Sequence, residues 1–164
     1  KVLLDDKDYS KKKALGRLSE ICSLYIEERN LEYKGNHEEL YNHFHDEYQD
    51  IIGHYFGTIY QILKFINESH EEEKIDNPKR YAHLFRSQFS KSELELLFYH
   101  GIGEIGRNRF LHLLSDFEFF EHLACTDHLD DEYVKFYASF EDGKIFGKNT
   151  DWMFKKAELK ESAE

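Results

Sequence analysis

An all-α fold follows from three observations. Apolar residues recur at three- and four-residue spacing along most of the chain, the period of a helix with one buried face. Glycine and proline are scarce, nine and one in 164 residues, too few for the turns of a sandwich or barrel. Charged residues make up 34% and aromatic ones 16%, which fits helices with solvated faces that pack through Phe and Tyr. The expectation is a single compact helical domain of about six helices with an aromatic-rich core. Residues 1–35 would form the first helix and a turn, 36–125 the core, and 126–164 a C-terminal extension.

The first helix is predicted from about Asp8 to Glu28, with Leu15, Leu18, Ile21, Cys22 and Tyr25 on its apolar side. Lys34-Gly35-Asn36 breaks it, and Asn36 is placed to cap the longest element. There Phe44, Tyr48, Ile51, Tyr55, Ile59, Ile62 and Ile66 step by four or three, so all seven fall on one helical face. Unbroken from His37 to Glu68, that helix would be about 48 Å long. Gly53 and Gly57 are positions where it could bend. Asn77-Pro78 starts the next helix, since Asn caps well and Pro loses nothing at the first helical position. Tyr81, Leu84, Phe85 and Phe89 give it an apolar face. Ser90 and Glu93 form a capping box, opening a helix in which Leu94, Leu96, Leu97, Phe98 and Tyr99 leave little polar surface. Gly101 suits a left-handed residue ending that helix.

Further on, Phe110, Leu111 and Leu114 mark a short helix, and Phe117, Phe119, Phe120 and Leu123 continue the apolar series. Thr126 or Asp127 can cap a helix carrying Leu129, Tyr133, Phe136 and Phe140. Glu141-Asp142-Gly143-Lys144 reads as a turn. It is compatible with a minor hairpin between Val134–Phe140 and Ile145–Phe146, although spacing on the first side favours helix. Asn149 or Thr150 caps a last short helix through Trp152.

A net charge of −11 argues against nonspecific binding to nucleic acid or to an anionic membrane. The least acidic stretch holds Lys79, Arg80, Arg86, Lys91, Arg107 and Arg109, most simply a solvated set of surface charges. Cys22 and Cys125 have no metal-like spacing and read as reduced, buried thiols of an intracellular protein. No stretch reaches the roughly 18 apolar residues of a membrane span. The chain begins at Lys1 and its only methionine is Met153, which suggests a fragment or a processed chain.

The stretch from Tyr81 and Arg86 through Ser90-x-x-Glu93-Leu94-x-Leu96-Leu97-Phe98-Tyr99 to Gly101 resembles the core of the putative phage abortive infection family, AbiC-like bacterial proteins. Upstream, Gly53-His54-Tyr55-Phe56, Ile59-Tyr60 and Leu63-Lys64-Phe65-Ile66 resemble the family's other recognisable segment. The likeness covers roughly residues 40 to 150. Members often carry an arginine and a polar residue after the Tyr-Phe pair. Here Gly57-Thr58 stands there, so no role of that arginine carries over.

The resemblance implies a component of bacterial anti-phage defence whose soluble domain works through protein contacts, as a sensor or adaptor. A partner protein or phage component is then expected, and a homodimer is compatible with it. Family members commonly carry hydrophobic membrane-spanning helices before the soluble part, which implies a domain on the cytoplasmic side of a membrane-anchored protein. Within the matching segments, His54, Tyr55, Tyr60 and Arg86 are the candidate binding residues. No cofactor or metal is expected.

Three patterns in the sequence bear on chemistry. His43, Glu47, Asp50 and His54 share one face of the long helix but span roughly 16 Å, too far for one ion to touch all four. They read as a solvated face. Gly101-x-Gly103-x-x-Gly106 follows a helix rather than a strand, so it is no phosphate loop. Arg107-Asn108-Arg109-Phe110-Leu111-His112 resembles the R-x4-6-H signature of HEPN ribonucleases, whose imidazole and guanidinium act on a phosphate without a metal. Arg107 and His112 are therefore the candidate catalytic pair of an alternative reading, with RNA as substrate. On a regular helix they would lie about 140° apart, so that reading requires Arg107 at the helix entrance.

Overall fold

The structure, a computed structural model, describes residues 11–29, 36–124, 129 and 131–152. In chain order the helices are α1 (Lys11–Arg29), α2 (His37–Glu71), α3 (Pro78–Arg86), α4 (Lys91–His100), α5 (Glu104–Arg109), α6 (Leu111–Asp116) and α7 (Asp131–Ser139). A 3-10 segment at Phe140–Phe146 follows. Among the described residues there is no strand. The fold is all-α.

Local chemistry sets the helix starts. Asn36 accepts from the Glu39 backbone N–H and opens α2, and Asn77 accepts from the Arg80 N–H at the start of α3, with Pro78 in the first turn. Ser90 accepts from the Glu93 N–H while the Glu93 carboxylate takes the Ser90 N–H, a complete capping box at α4. Asn149 accepts from the Trp152 N–H at the last turn, and its amide donates to the carbonyls of Phe120 and Leu123. The proposed caps of α7, Thr126 and Asp127, lie outside the described residues, as does Cys125.

Helix α4 is the centre of the molecule. Every residue from Glu93 to His100 is buried, α1 lies against it, and α2 and α5 also pack on it. Rings fill the space around it. Phe98 meets Tyr137 at 4.8 Å and Phe120 at 5.7 Å between centroids, and the Tyr137 hydroxyl donates to the Phe98 carbonyl. Cys22, on α1, is a buried free thiol.

The structure corrects four expectations. The segment after α7 is a 3-10 turn rather than half of a hairpin: α7 runs to Ser139, and Glu141, Asp142 and Gly143 take positive φ in succession. Gly101 is right-handed, with φ −66°, and its missing side chain serves instead to admit Tyr137, whose hydroxyl would lie 2.3 Å from a Cβ there. The seven-residue stripe of α2 is rotated relative to the core. Phe44, Ile59 and Ile66 are buried, but Tyr48, Ile51, Tyr55 and Ile62 are only half-buried, and Leu40, Tyr41, Ile52, Phe56 and Leu63 complete the core-facing side. Helix α3 departs furthest. Its buried residues are Ala82 and Arg86, while Tyr81 and Leu84 stay 49% and 67% exposed.

Candidate functional site

A groove runs between the outer side of α2 and the end of α3. Its volume is about 470 Å³, and it is mostly apolar, with Ile51, Ile59 and Ile62 on one wall and Phe85 and Phe89 on the other. The two phenyl rings meet edge to face at 5.1 Å, and Phe89 rests on Phe119 behind it at 5.5 Å, so that wall is backed by the core. Thr58 and Ile62 also line a shallower recess that reaches Phe65, which is 70% exposed. Four residues before Phe85 and Gln88, Tyr81 and Leu84 stand on α3, so the apolar strip continues past the groove. Phe65, Tyr81 and Leu84 are three of the five large apolar side chains exposed among the described residues.

The polar floor of the groove is tied to the start of α4. The Tyr55 hydroxyl donates to Glu93 Oε1 at 3.1 Å, while Glu93 Oε2 receives the Ser90 hydroxyl at 2.7 Å and the Ser90 N–H at 2.8 Å. Glu93 thus has both oxygens engaged, as a buried carboxylate must. Burial and the neighbouring Glu93 charge push the Tyr55 phenol above its ordinary range, so it remains a donor. Asp50 and Glu93 are the charged side chains lining the groove, and both are acidic.

Of the candidate binding residues, His54 and Tyr55 come together in this groove. Tyr60 lies elsewhere, in a smaller recess of about 190 Å³ formed with His45, Phe56, His100, Arg109 and Phe110. His100 is fully enclosed there, stacked on Phe56 at 3.8 Å and sharing a hydrogen bond of 3.2 Å with the Tyr41 hydroxyl. Burial, with a smaller contribution from His45, holds its pKa down at about 3. Its Nε2 has no hydrogen-bond partner, and the ring stands perpendicular to Phe110 at 5.1 Å. Arg86 is a buried strut. It donates at 2.7 Å to the Glu118 carbonyl and at 2.7 Å to Glu121 Oε2, joining α3 to the turn after α6.

Arg107 and His112 occupy separate environments. Arg107 pairs with Glu38 on α2 at 2.7 Å and sits over the Phe136 ring at 5.0 Å. His112 is 74% exposed, with Nδ1 3.6 Å from Glu141 and its ring against Phe140. The backbone breaks between them at Phe110, where α5 ends and α6 begins. Neither residue lines the groove or the recesses above. Among the described residues no group of three or more His, Cys, Asp or Glu side chains is placed to hold a metal ion.

Sequence reasoning missed Phe85, Phe89, Thr58 and Glu93 as parts of one site. A signal was present. The apolar arc of α2 is wider than one neighbouring helix can cover, and α3 is too short to bury four large apolar residues while also seating Arg86 inward.

The fold and site define a small all-helical domain with an open apolar groove. Comparison with known families matches residues 47–128, half of the 164-residue chain, to the family described as Putative phage abortive infection protein. The chain belongs to that family. The matched stretch contains both groove walls, α2 from Glu47 onward and all of α3 and α4. No curated protein and no solved structure matches the chain.

Proposed function

We propose that this domain takes part in abortive infection through protein contacts, as a sensor or adaptor, and that the groove between α2 and α3 is the contact surface. The observation that carries the reading is the outward-facing apolar side of α3. Tyr81 and Leu84 are exposed on a helix whose inner side is held by a buried arginine, and exposed apolar surface of this kind marks interaction sites. The groove has apolar walls and few polar groups, as binding sites do. We further propose that the domain lies on the cytoplasmic side of a membrane and is tethered to it by other parts of the protein. None of the described helices is long and apolar enough to cross a membrane.

The test is phage challenge of cells carrying the intact gene, with Leu84→Asp and Phe65→Ser as groove-rim variants. Both residues are exposed, so folding should survive. Protection is expected to be lost while thermal melting is unchanged, and full protection in both variants would overturn the groove reading. Fractionation of the same cells should place the intact protein with membranes. Purified protein should leave labelled cellular RNA intact. Chelator-insensitive cleavage that disappears in both Arg107→Ala and His112→Ala would replace the adaptor reading with a ribonuclease.

A further inference from the structure

We infer that the occupant of the α2–α3 groove is a basic amphipathic helix of a partner protein, an inference that rests on the groove being the contact surface. The lining residues of α2 run from Asp50 to Ile62, about 18 Å, which matches three turns of a docked helix. One wall is helix α2 and the other is the end of α3 with the turn after it, and the backbone N–H groups of both are paired internally, so an extended strand would find no edge to join. A helix satisfies its own backbone and needs only an apolar surface for its side chains, which the Ile and Phe walls provide.

Charge selects the polar face of that helix. Glu93 spends its oxygens on Tyr55 and Ser90, but Asp50 has no ion-pair partner among the described residues. Asp46 and Glu47, both exposed, extend the acidic surface one turn further along α2. No lysine or arginine lines the groove. With a chain charge of −11, an acidic helix or a second copy of this chain would be repelled, and a helix flanked by Lys or Arg would be drawn in.

The test uses a fluorescein-labelled amphipathic leucine–lysine peptide of about 18 residues, with a leucine–glutamate peptide of the same pattern as control. Binding is read by anisotropy at about 150 mM salt, so that loose charge attraction is screened. Thr58→Trp fills the groove from an exposed position, Asp50→Lys reverses its free charge, and Glu104→Lys changes an exposed carboxylate on α5 outside it. The leucine–lysine peptide should bind wild type, weaken at least about tenfold in the two groove variants, and be unchanged in Glu104→Lys. Equal weakening in all three variants, or undiminished binding to Thr58→Trp, would overturn the inference. So would a wild-type dimer that Thr58→Trp dissociates, which would assign the groove to a second copy. Loss of phage protection in Thr58→Trp without peptide binding to wild type defeats this inference alone. Intact protection in Thr58→Trp defeats the groove reading with it.

Discussion

Replacing Arg86 with methionine tests whether this arginine is a strut or a ligand-binding group. The guanidinium is 4% exposed and its ion-pair partner Glu121 17%, so neither is screened as a surface pair would be. Methionine keeps the apolar stem but leaves the Glu118 carbonyl and the Glu121 carboxylate without their donor. Breaking a buried pair by removing one partner costs roughly 3–5 kcal/mol, and the partial exposure of Glu121 puts the expected loss near the lower end, about 3 kcal/mol. For a chain of this size that corresponds to a drop of about 6–12 °C in melting temperature. Burial raises the Glu121 pKa, but the hydrogen bond and charge of Arg86 outweigh it and hold the carboxyl below its ordinary value. As pH falls below about 4.5, the unfolded chain takes up this proton before the folded one, so wild-type stability declines through that window. Without Arg86, burial is opposed only by the weaker attractions of His122 and His83, and this part of the acid sensitivity should shrink. Urea unfolding followed by circular dichroism at pH 7 and in steps down to about pH 3 measures both effects. A loss under about 1 kcal/mol together with an unchanged acid slope would refute the strut.

Four further outcomes follow from the packing. Ser90→Ala removes a helix cap and one donor to buried Glu93, and should cost about 1–2 kcal/mol in urea unfolding. Gly106→Ala should abolish cooperative folding as seen by calorimetry, because its Cβ would lie 1.8 Å from the His100 carbonyl oxygen, on backbone that cannot swing aside. His100 resists protonation down to about pH 3 when folded, whereas the unfolded imidazole takes up its proton near pH 6.5. Wild type should therefore lose stability as pH falls through that interval, and His100→Phe should lose less between about pH 6.5 and 4, measured by melting temperature against pH. Arg107→Ala should cost about 1–2 kcal/mol through its half-exposed pair with Glu38 and its seat over Phe136, while exposed His112→Ala should fall within about 0.5 kcal/mol of wild type in the same melts.

Element starts were legible because they are local. Asn36, Asn77-Pro78 and the Ser90/Glu93 box each act within four residues, and the same backbone donors that the sequence pairs are paired in the structure. Which side of a helix faces the core is a different kind of question, since periodicity reports that an apolar side exists and says nothing of what covers it. On α2 the apolar arc includes both Phe56 and Tyr55, and only the packing of the neighbouring helices decides that Phe56 goes into the core and Tyr55 to the floor of the groove. The hairpin failed for a related reason. A turn at Glu141–Lys144 is correctly signalled by its residues, but left-handed φ at Glu141, Asp142 and Gly143 curls the chain back onto α6, where Glu141 accepts from Ser115 and Lys144 pairs with Asp116. His54 and Tyr55 came from likeness to a family, and their shared groove depended on Phe85 and Phe89, some 30 residues away in sequence.

The inverted packing of α3 links its stability to its exposed face. An amphipathic helix in a small domain ordinarily stabilises itself by burying its apolar side, and α3 leaves Tyr81 and Leu84 in water instead. Beside buried Ala82 and half-buried Phe85, polar bonds hold it: Lys79 to Glu118 at 2.6 Å, His83 to the Phe117 carbonyl at 3.1 Å, and Arg86 to Glu118 and Glu121. All of these reach the turn after α6, so the inner side of α3 is fixed by directional bonds that define its rotation about its axis. Rotation by half a turn would bury Tyr81 and Leu84 but take the donors His83 and Arg86 away from the Phe117 and Glu118 carbonyls and from the Glu121 carboxylate, leaving those acceptors unpaired. The outward apolar face is therefore a consequence of the strut. Weakening Arg86 should loosen the groove wall as well as the fold, and Arg86→Lys, which keeps charge but loses the two-pronged geometry, should lower peptide affinity more than it lowers melting temperature.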